Sequence, residues 1–593
     1  MKKIVTTIVF FCALAIASAQ TPYPKAVNEQ IKQVENSLAG WFVVNGKANN
    51  ILDRMAFFKV KGLSIAVVQN YTVVWAKGYG WADKAEKRPV TTSTLFEPGS
   101  ISKSLNAVGV LKLVQDKKLD LHTDINDYLH SWKFPYDSLS KGKKITMAHL
   151  LSHTAGLSVH GFPGYARNSK IPSLPAVLDG TAPANTSAVR SEFEPGLQFQ
   201  YSGGGTTISQ LIVTDLTQQP YDQFIFDNVL KPMGMLNSSY SQPPAKEKLK
   251  NVATGYRADG TEVEMKFHVY PEQAAAGLWT TPTDLCRYII ETQLAYEGKS
   301  SKVLNQEMTR LRLTPYIDQS SALGVFIDNH NGFKYFQHDA GNEGFRGAYL
   351  GSMEGGNGVA IFVNSDNGNI LPELLNSVAS VYNWKGFDKP VSIALKNIPD
   401  SLSQKYVGVY LYEGLIADVT KKPDGLYFWT GGQDAKMYFT SDKDFINMEF
   451  LAEKSFLTDG HGNVTGYGRK ANGKEYPPAT KITRVDTLQA KGGQLNNFGW
   501  HLLETKRFDA AIAYLNRGIE LEPNDIAALG NLAHCFLFTN EYDKAIQLYR
   551  AFLAKKPAEE AYFKSTIKQD FDLFRGKGFD KALMDKVTAA LQL

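Results

Sequence analysis

The octapeptide Phe96-Glu97-Pro98-Gly99-Ser100-Ile101-Ser102-Lys103 is the stretch around which the first two-thirds of the chain is organised. Pro98-Gly99 is a turn signal. The run from Ser100 to Gln115 that follows carries Leu105, Val108, Leu111 and Val114 at helical spacing, so Ser100 is expected to open a helix. Residues three apart share a helix face, which places the amine of Lys103 over the hydroxyl of Ser100. The free N–H groups and positive dipole end of the first turn face any developing oxyanion. Such an arrangement activates a weak nucleophile. Ser-x-x-Lys also arises by chance, as an N-capping serine followed by a solvated lysine, so its weight depends on partner motifs elsewhere.

Working outward, Leu63–Val68 and Val73–Ala76 are β-rich runs separated by Gln69-Asn70-Tyr71-Thr72, a hairpin. Ile145 to Leu157 reads as an apolar helical segment closed by Gly156, and its His149 and His153 stand four apart. Without a glutamate between them or a third ligand, they are expected to end a helix rather than hold a metal, and no metal or cofactor is implied. Tyr201-Ser202-Gly203-Gly204-Gly205 precedes a helical stretch from Thr206 to Thr217. Phe333 to Arg346 reads as a strand ending at His338, a glycine-rich bend, and a second strand beginning near Gly347.

In this order the segments from about Lys61 to Asn383 resemble the serine β-lactamase and penicillin-binding-protein family. The resemblance is to the branch of class C β-lactamases, D-Ala-D-Ala carboxypeptidases, D-aminopeptidases and related esterases. It is carried by Ser100 and Lys103, by Leu-Leu-x-His-Thr-x-Gly-Leu at Leu150–Leu157, by Tyr201-Ser202, by Pro-x-Gly-Met at Pro232, and by the element at His338. The resemblance implies an acyl-enzyme hydrolase with Ser100 as nucleophile and Lys103 and Tyr201 sharing the role of base. The oxyanion hole would be the N–H groups of Ser100 and Gly341, and His338 would donate a hydrogen bond toward substrate or Tyr201. Two positions depart from the family pattern. Gly203 stands where Tyr-x-Asn carries its amide, and His338-Asp339-Ala340 stands where Lys-Thr-Gly or His-x-Gly is usual. A neutral imidazole is a weaker carboxylate anchor than lysine, which turns the expectation toward D-residue peptides, amides or esters. A β-lactamase is the rival enzyme, and a catalytically inactive binding scaffold the rival of another class. Arg346 is the candidate to replace the lost cation, with a surface ion pair to Glu343 as the alternative.

The fold class expected is mixed, α/β (α+β), with an antiparallel sheet flanked by helices over residues 20–390. Short aromatic β runs separated by turns such as Asp424-Gly425 and Asp459-Gly460 place a small antiparallel domain at 395–485, similar to lipocalin-like barrels. Over 490–593, Phe508-Asp509-Ala510-Ala511-Ile512 recurs as Tyr542-Asp543-Lys544-Ala545-Ile546 at a separation of 34, and this resembles tetratricopeptide repeats with a helical cap. Docking of the repeats on the β domain competes with binding of a protein partner or self-association.

With 43% hydrophobic residues the 593-residue chain has ample material for large cores. Lys2 and Lys3, the apolar run Ile4–Ala17 and Ala17-Ser18-Ala19 form a signal-peptide pattern over 1–19, cut after Ala19, which implies a periplasmic or secreted protein. A formal charge of +5, with no dense basic run, argues against nucleic acid as partner. No later segment is apolar over the length a membrane span needs. Cys286 and Cys535 fall in different expected domains, so no disulfide is expected between them. The partner implied at the site is a small peptide, ester or β-lactam substrate.

Overall fold

The computed structural model describes residues 23–593 apart from 41, 448–449, 472–473, 486–487, 489, 491, 524 and 556–559. The expected signal peptide therefore lies outside the described residues. The chain divides into two compact units, one comprising the described residues to Ala39 together with Ala48–Lys389, the other Gly40–Lys47 with Pro390–Leu593.

The first unit is built on a seven-stranded antiparallel sheet. Its strands are β1 (Gly62–Gln69), β2 (Thr72–Asp83), β3 (Arg88–Pro89), β4 (Phe326–His330), β5 (Phe333–Asn342), β6 (Phe345–Ser352) and β7 (Gly358–Val363), in the spatial order β3-β2-β1-β7-β6-β5-β4. The expected β1–β2 hairpin is present. Asn70 and Tyr71 both take positive φ, at 51° and 59°, as a two-residue loop matched to strand twist requires. The central strands are buried on both faces, and their side chains divide with period two. Ala66, Val68, Ala360 and Phe362 enter one core; Leu63, Ile65, Val67, Val359, Ile361 and Val363 enter the other. At about 1.5–3 kcal/mol per buried aliphatic or aromatic side chain, this alternation pins the register.

The second core lies under α1 (Lys25–Glu35) and α7 (Ile370–Val381). On the other face lie α2 (Ser102–Gln115), α3 (Met147–Leu151), α4 (Gly203–Thr217), α5 (Gln273–Ala276) and α6 (Pro282–Tyr296). Every residue of α2 from Ser102 to Leu111 is buried, as suits a helix that crosses a core rather than lying on it.

Two sequence expectations change here. The segment 145–157 is not one helix: α3 stops at Leu151, because His153 takes φ +58° and Gly156 φ +66°. The strand carrying His338 does not end there but continues to Asn342, with His338 opposite Tyr349.

In the second unit, nine antiparallel strands form a nearly closed barrel-like sheet. They are β8 (Gly408–Tyr412), β9 (Leu415–Lys422), β10 (Gly425–Thr430), β11 (Gln433–Lys436), β12 (Tyr438–Phe439), β13 (Asp444–Asn447), β14 (Phe450–Thr458), β15 (Val464–Ala471) and β16 (Lys474–Lys481), in the order β11-β10-β9-β8-β16-β15-β14-β13-β12. Aromatic side chains including Tyr406, Tyr410, Phe428, Phe445, Phe456 and Tyr467 form its core. The helices α8 (Gly492–Glu504), α9 (Phe508–Leu521), α10 (Ile526–Phe538) and α11 (Tyr542–Ala554) follow as two antiparallel pairs, and α12 (Glu560–Gly576) and α13 (Lys581–Leu591) cap them. Ile416 and Trp429 of the sheet enter the core of the repeats, so the two are docked. Cys286 and Cys535 are buried free thiols.

Candidate active site

Ser100 sits in a single 3-10 turn, Gly99–Ile101, that feeds directly into α2, so the α-helix starts two residues later than one opened by Ser100 itself. The turn is pinned by the Ser102 hydroxyl, which donates to the Gly99 carbonyl at 2.6 Å and accepts from the Leu278 N–H at 3.0 Å. Lys103, one helical turn on, places Nζ 2.9 Å from Ser100 Oγ and donates to the Ala275 carbonyl at 2.8 Å. No carboxylate pairs with this amine among the described residues, and burial pulls its pKa from 10.5 to about 7. A lysine so placed exchanges its proton near neutrality, and its neutral form can accept the serine proton.

The Tyr201 phenol forms the third side of the cluster. Its hydroxyl shares a hydrogen bond with Ser100, and Lys103 Nζ lies 5.0 Å from its ring centroid. Burial outweighs that hydrogen bond and raises the phenol pKa well above 10. The ring packs 4.2 Å from His153, whose Nδ1 accepts from the Ser202 N–H at 3.2 Å. Phe326 stacks 6.4 Å from His153 and meets His338 edge-on at 5.3 Å. His153 and Phe326 are the residues that motif reading passed over. His153 lay within the quoted Leu150–Leu157 signature, whereas nothing local marks Phe326, which pairing with β5 brings to the site. The two histidines of that segment serve separate purposes. His149 Nδ1 accepts from the Thr146 N–H at 3.2 Å as part of a helix capping box, while His153 lines the cluster.

The helix after Tyr201 begins at Gly203, three residues earlier than expected, with Ser202 as its cap. A Cβ on Gly203 would lie 2.9 Å from the Phe162 ring and 3.3 Å from the His160 carbonyl. Phe162 thus takes up the space that an asparagine side chain would enter.

The third element lies on β5. Strand β4 pairs with β5 only as far as Phe326 opposite Gln337, so His338–Asn342 form a free edge on that side. The two-residue loops on either end close on the pairs His330–Phe333 and Asn342–Phe345. Hydrogen bonding alternates along each strand, so Asp339 and Gly341 direct their backbone groups to the free edge, and His338, Ala340 and Asn342 direct theirs to β6. Asn342 also donates through Nδ2 to the Ala276 carbonyl at 2.9 Å, tying β5 to α5.

His338 is 2% exposed. Its Nδ1 lies 2.5 Å from the Asp339 carbonyl, which can only accept, so Nδ1 carries the proton. Burial, followed by the Lys103 charge, lowers the imidazole pKa to about 4. The ring is neutral, and its Nε2 is an acceptor without a partner among the described residues. The expected donation from His338 toward substrate or Tyr201 is corrected accordingly: the donor is spent on the backbone.

Arg346 is not brought into this cluster. It pairs across β6–β5 with Gly341, on the sheet face opposite Phe345 and Gly347, and a Cβ on Gly347 would meet Pro98 at 3.2 Å. Its guanidinium donates to the Asn342 and Phe345 carbonyls at 2.7 Å each and pairs with Asp366 at 2.8 Å. The expected partner Glu343 pairs instead with Arg257 at 2.9 Å.

Residues 48–379 match the family model described as Beta-lactamase, and residues 502–566 match that of the tetratricopeptide repeat. The chain is similar to protein flp of Staphylococcus aureus strain N315, 27% identical over 350 residues, which cover 56% of this chain and 66% of that relative. Among solved structures it is similar to the octameric penicillin-binding protein homologue from Pyrococcus abyssi, at 20% identity and TM-score 0.49, covering 72% of this chain and 97% of that one. It is also similar to the D-amino acid amidase from Ochrobactrum anthropi, at 20% identity and TM-score 0.47, covering 60% of this chain and 98% of that one. Since the matched region takes in more than half of the chain and contains all the elements gathered around Ser100, the protein belongs to the beta-lactamase family, whose members are serine hydrolases.

Proposed function

We propose that the protein is a serine hydrolase that cleaves small amide or ester substrates, D-amino-acid derivatives among them, through an acyl-enzyme on Ser100. The observation that carries this reading is the 2.9 Å contact between Ser100 Oγ and a buried Lys103 amine whose pKa is drawn to about 7. In the first step Lys103, in its neutral form, takes the Ser100 proton as Oγ bonds to the substrate carbonyl carbon. The oxyanion is received by the N–H groups of Ser100 and Gly341. The C–N or C–O bond then breaks, and the proton passes to the leaving group through Lys103 or the Tyr201 hydroxyl. Water, activated by the same amine, releases the acyl group. Tyr201 acts as a proton-carrying phenol, since burial holds it protonated at neutral pH. The sequence at 2–19 supports an exported location, and the repeats support a protein partner.

The test is mass spectrometry of the full-length protein after exposure to a fluorophosphonate. One adduct on Ser100, absent from Ser100→Ala, supports the reading. An unlabelled wild-type Ser100 overturns it in favour of a non-catalytic scaffold. Turnover of nitrocefin, p-nitrophenyl esters and D-amino-acid anilides then ranks the substrate classes.

A further inference from the structure

Three successive carbonyls of the turn at His153 hold two loops beside the Ser100 cluster. The Ser152 carbonyl accepts from the Ser321 hydroxyl at 2.7 Å, the His153 carbonyl from the Gln200 N–H at 2.7 Å, and the Thr154 carbonyl from the Gly196 N–H at 2.8 Å. Both loops present apolar side chains to solvent: Leu197 is 58% exposed and Phe199 37% in one, and Ile317 is 51% exposed in the other. The loops adjoin, since a Cβ on Gly196 would stand 3.8 Å from Ile317 Cδ1. Scattered exposed apolar side chains need no explanation, whereas contiguous ones mark a ligand or interaction site. From this rim an aromatic wall leads inward. Phe199 meets His153 edge-on at 6.2 Å and Phe326 at 6.1 Å, Phe326 stacks 6.5 Å from Tyr201, and the Tyr201 hydroxyl is bonded to Ser100.

Ile317 is held at this rim under strain. It is the central residue of a γ-turn in which the Asp318 N–H donates to the Tyr316 carbonyl at 2.8 Å, and its φ is +66°. That region is unfavourable for a β-branched residue, and a γ-turn of positive φ is the rarer, strained kind. Asp318 locks the turn, its Oδ1 accepting from the N–H groups of Ser320 and Ser321 and from the Ser320 hydroxyl. A glycine would satisfy the same backbone without strain. Half-exposed as it is, Ile317 does not recover the strain through burial within the chain. A side chain that is strained, apolar and open to solvent beside a nucleophile is suited to meet a ligand rather than to support the fold.

Resting on the hydrolase reading, we propose that Phe199, Ile317 and Leu197 form an apolar subsite for the leaving group, and that preferred substrates are esters or amides whose departing alcohol or amine carries an aryl or branched alkyl group. The side of the cleft follows from Tyr201. Its hydroxyl is one of the two groups that pass a proton to the departing atom, and its ring is the one that His153 and Phe326 flank. A substituent on the departing atom therefore runs outward along Phe326 and Phe199 to the rim at Ile317. Covering these side chains removes apolar surface from water on both partners, which favours the bound state without any charge on the substrate.

The experiment compares methyl acetate, benzyl acetate and methyl phenylacetate on wild type, Phe199→Ser and Ile317→Gly, with fluorophosphonate labelling of Ser100 alongside. Methanol and benzyl alcohol are of similar acidity, so the two acetates differ in what the leaving group touches rather than in how readily it departs. Expected is a wild-type preference for benzyl over methyl acetate of about tenfold or more in kcat/KM, the scale of an apolar contact in a binding pocket, with a smaller gain for the ring on the acyl side. Phe199→Ser should remove most of that preference. Ile317→Gly should reduce it while holding or raising Tm, because it relieves the positive φ. Equal rates on the two acetates, a larger gain with methyl phenylacetate, or turnover of neither acetate by an enzyme whose Ser100 is labelled overturns the subsite. So does a fall in Tm of Ile317→Gly with equal losses on both acetates, or a change in molar mass of Phe199→Ser with the preference intact, which would make the patch an interface between protein copies. The wild-type comparison decides even if a variant does not fold. Absent labelling of wild-type Ser100 overturns the underlying hydrolase reading instead.

Discussion

The backbone of Gly99 lies so close to that of Gly341 that a Cβ on Gly99 would stand 2.8 Å from both the carbonyl carbon and the carbonyl oxygen of Gly341. This close approach sets the Ser100 turn against the free edge of β5, from which the Gly341 N–H points. Gly99 also takes φ +51°, where side chains are strained. Gly99→Ala should therefore cost about 1–3 kcal/mol of stability and slow fluorophosphonate labelling of Ser100 by about tenfold or more. Thermal melting with a parallel labelling time course checks it, and labelling at the wild-type rate would show that the two backbones need not meet for chemistry.

Lys103 links both activity and stability to pH, and in the same direction. The neutral amine is the working form, so acylation should rise with pH along a single limb near 7, where burial has placed the pKa. No second limb near 6.5 is expected, because burial, followed by the charge of Lys103, holds both His153 and His338 below that value. The pH profile of Ser100 labelling is the measurement; a limb at 6.5 that His338→Gln abolishes would contradict it.

Stability follows the same sign. The folded pKa lies below the ordinary 10.5, so between about 7 and 10.5 the unfolded chain binds the proton that the folded chain has lost. Stability contributed at this site thus rises with pH across that window, and below it the buried charge is a burden. Lys103→Met should abolish labelling while raising Tm, with a larger gain at pH 7 than at pH 10. A fall in Tm at both pH values would mean that the bond to Ala275 outweighs the cost of burial.

Arg346 should act as a brace of the β5–β6 hairpin. Its contacts go to Asp366 and to the carbonyls of Asn342 and Phe345. Arg346→Ala should lower Tm by a few degrees and reduce kcat/KM to similar extents on substrates with and without a free carboxylate. Loss confined to carboxylate substrates would restore it as an anchor.

Trp429 joins the barrel-like sheet to the repeats. Its ring stacks 4.3 Å from His501 and 5.4 Å from Phe498, and beside it the buried Asp418 is bonded by Arg507. Trp429→Ala should destabilise the unit of Pro390–Leu593 by about 3–5 kcal/mol and leave Ser100 labelling intact. Urea unfolding followed by circular dichroism, with labelling in parallel, checks this; coincident loss of labelling would show that the first unit depends on that contact.

Helical spacing was enough to put Lys103 beside Ser100, because a helix places residues three apart together, whereas Tyr201 was reached through the resemblance of the ordered motifs to the β-lactamase and penicillin-binding-protein family. The 34-residue repeat was legible for the same reason, since local periodicity needs no distant partner. What the sequence could not settle was which side of β5 faces the cluster. That depends on hairpin register, and one residue of register exchanges the faces, which is why Arg346 lies away from Ser100 and Gly341 presents its backbone to the open edge. The lowered pKa of His338 and the Phe162 ring over Gly203 are likewise products of burial by segments far apart in the chain. Desolvation depends on everything that surrounds a group, so it is written in the packing and not in any short stretch of residues.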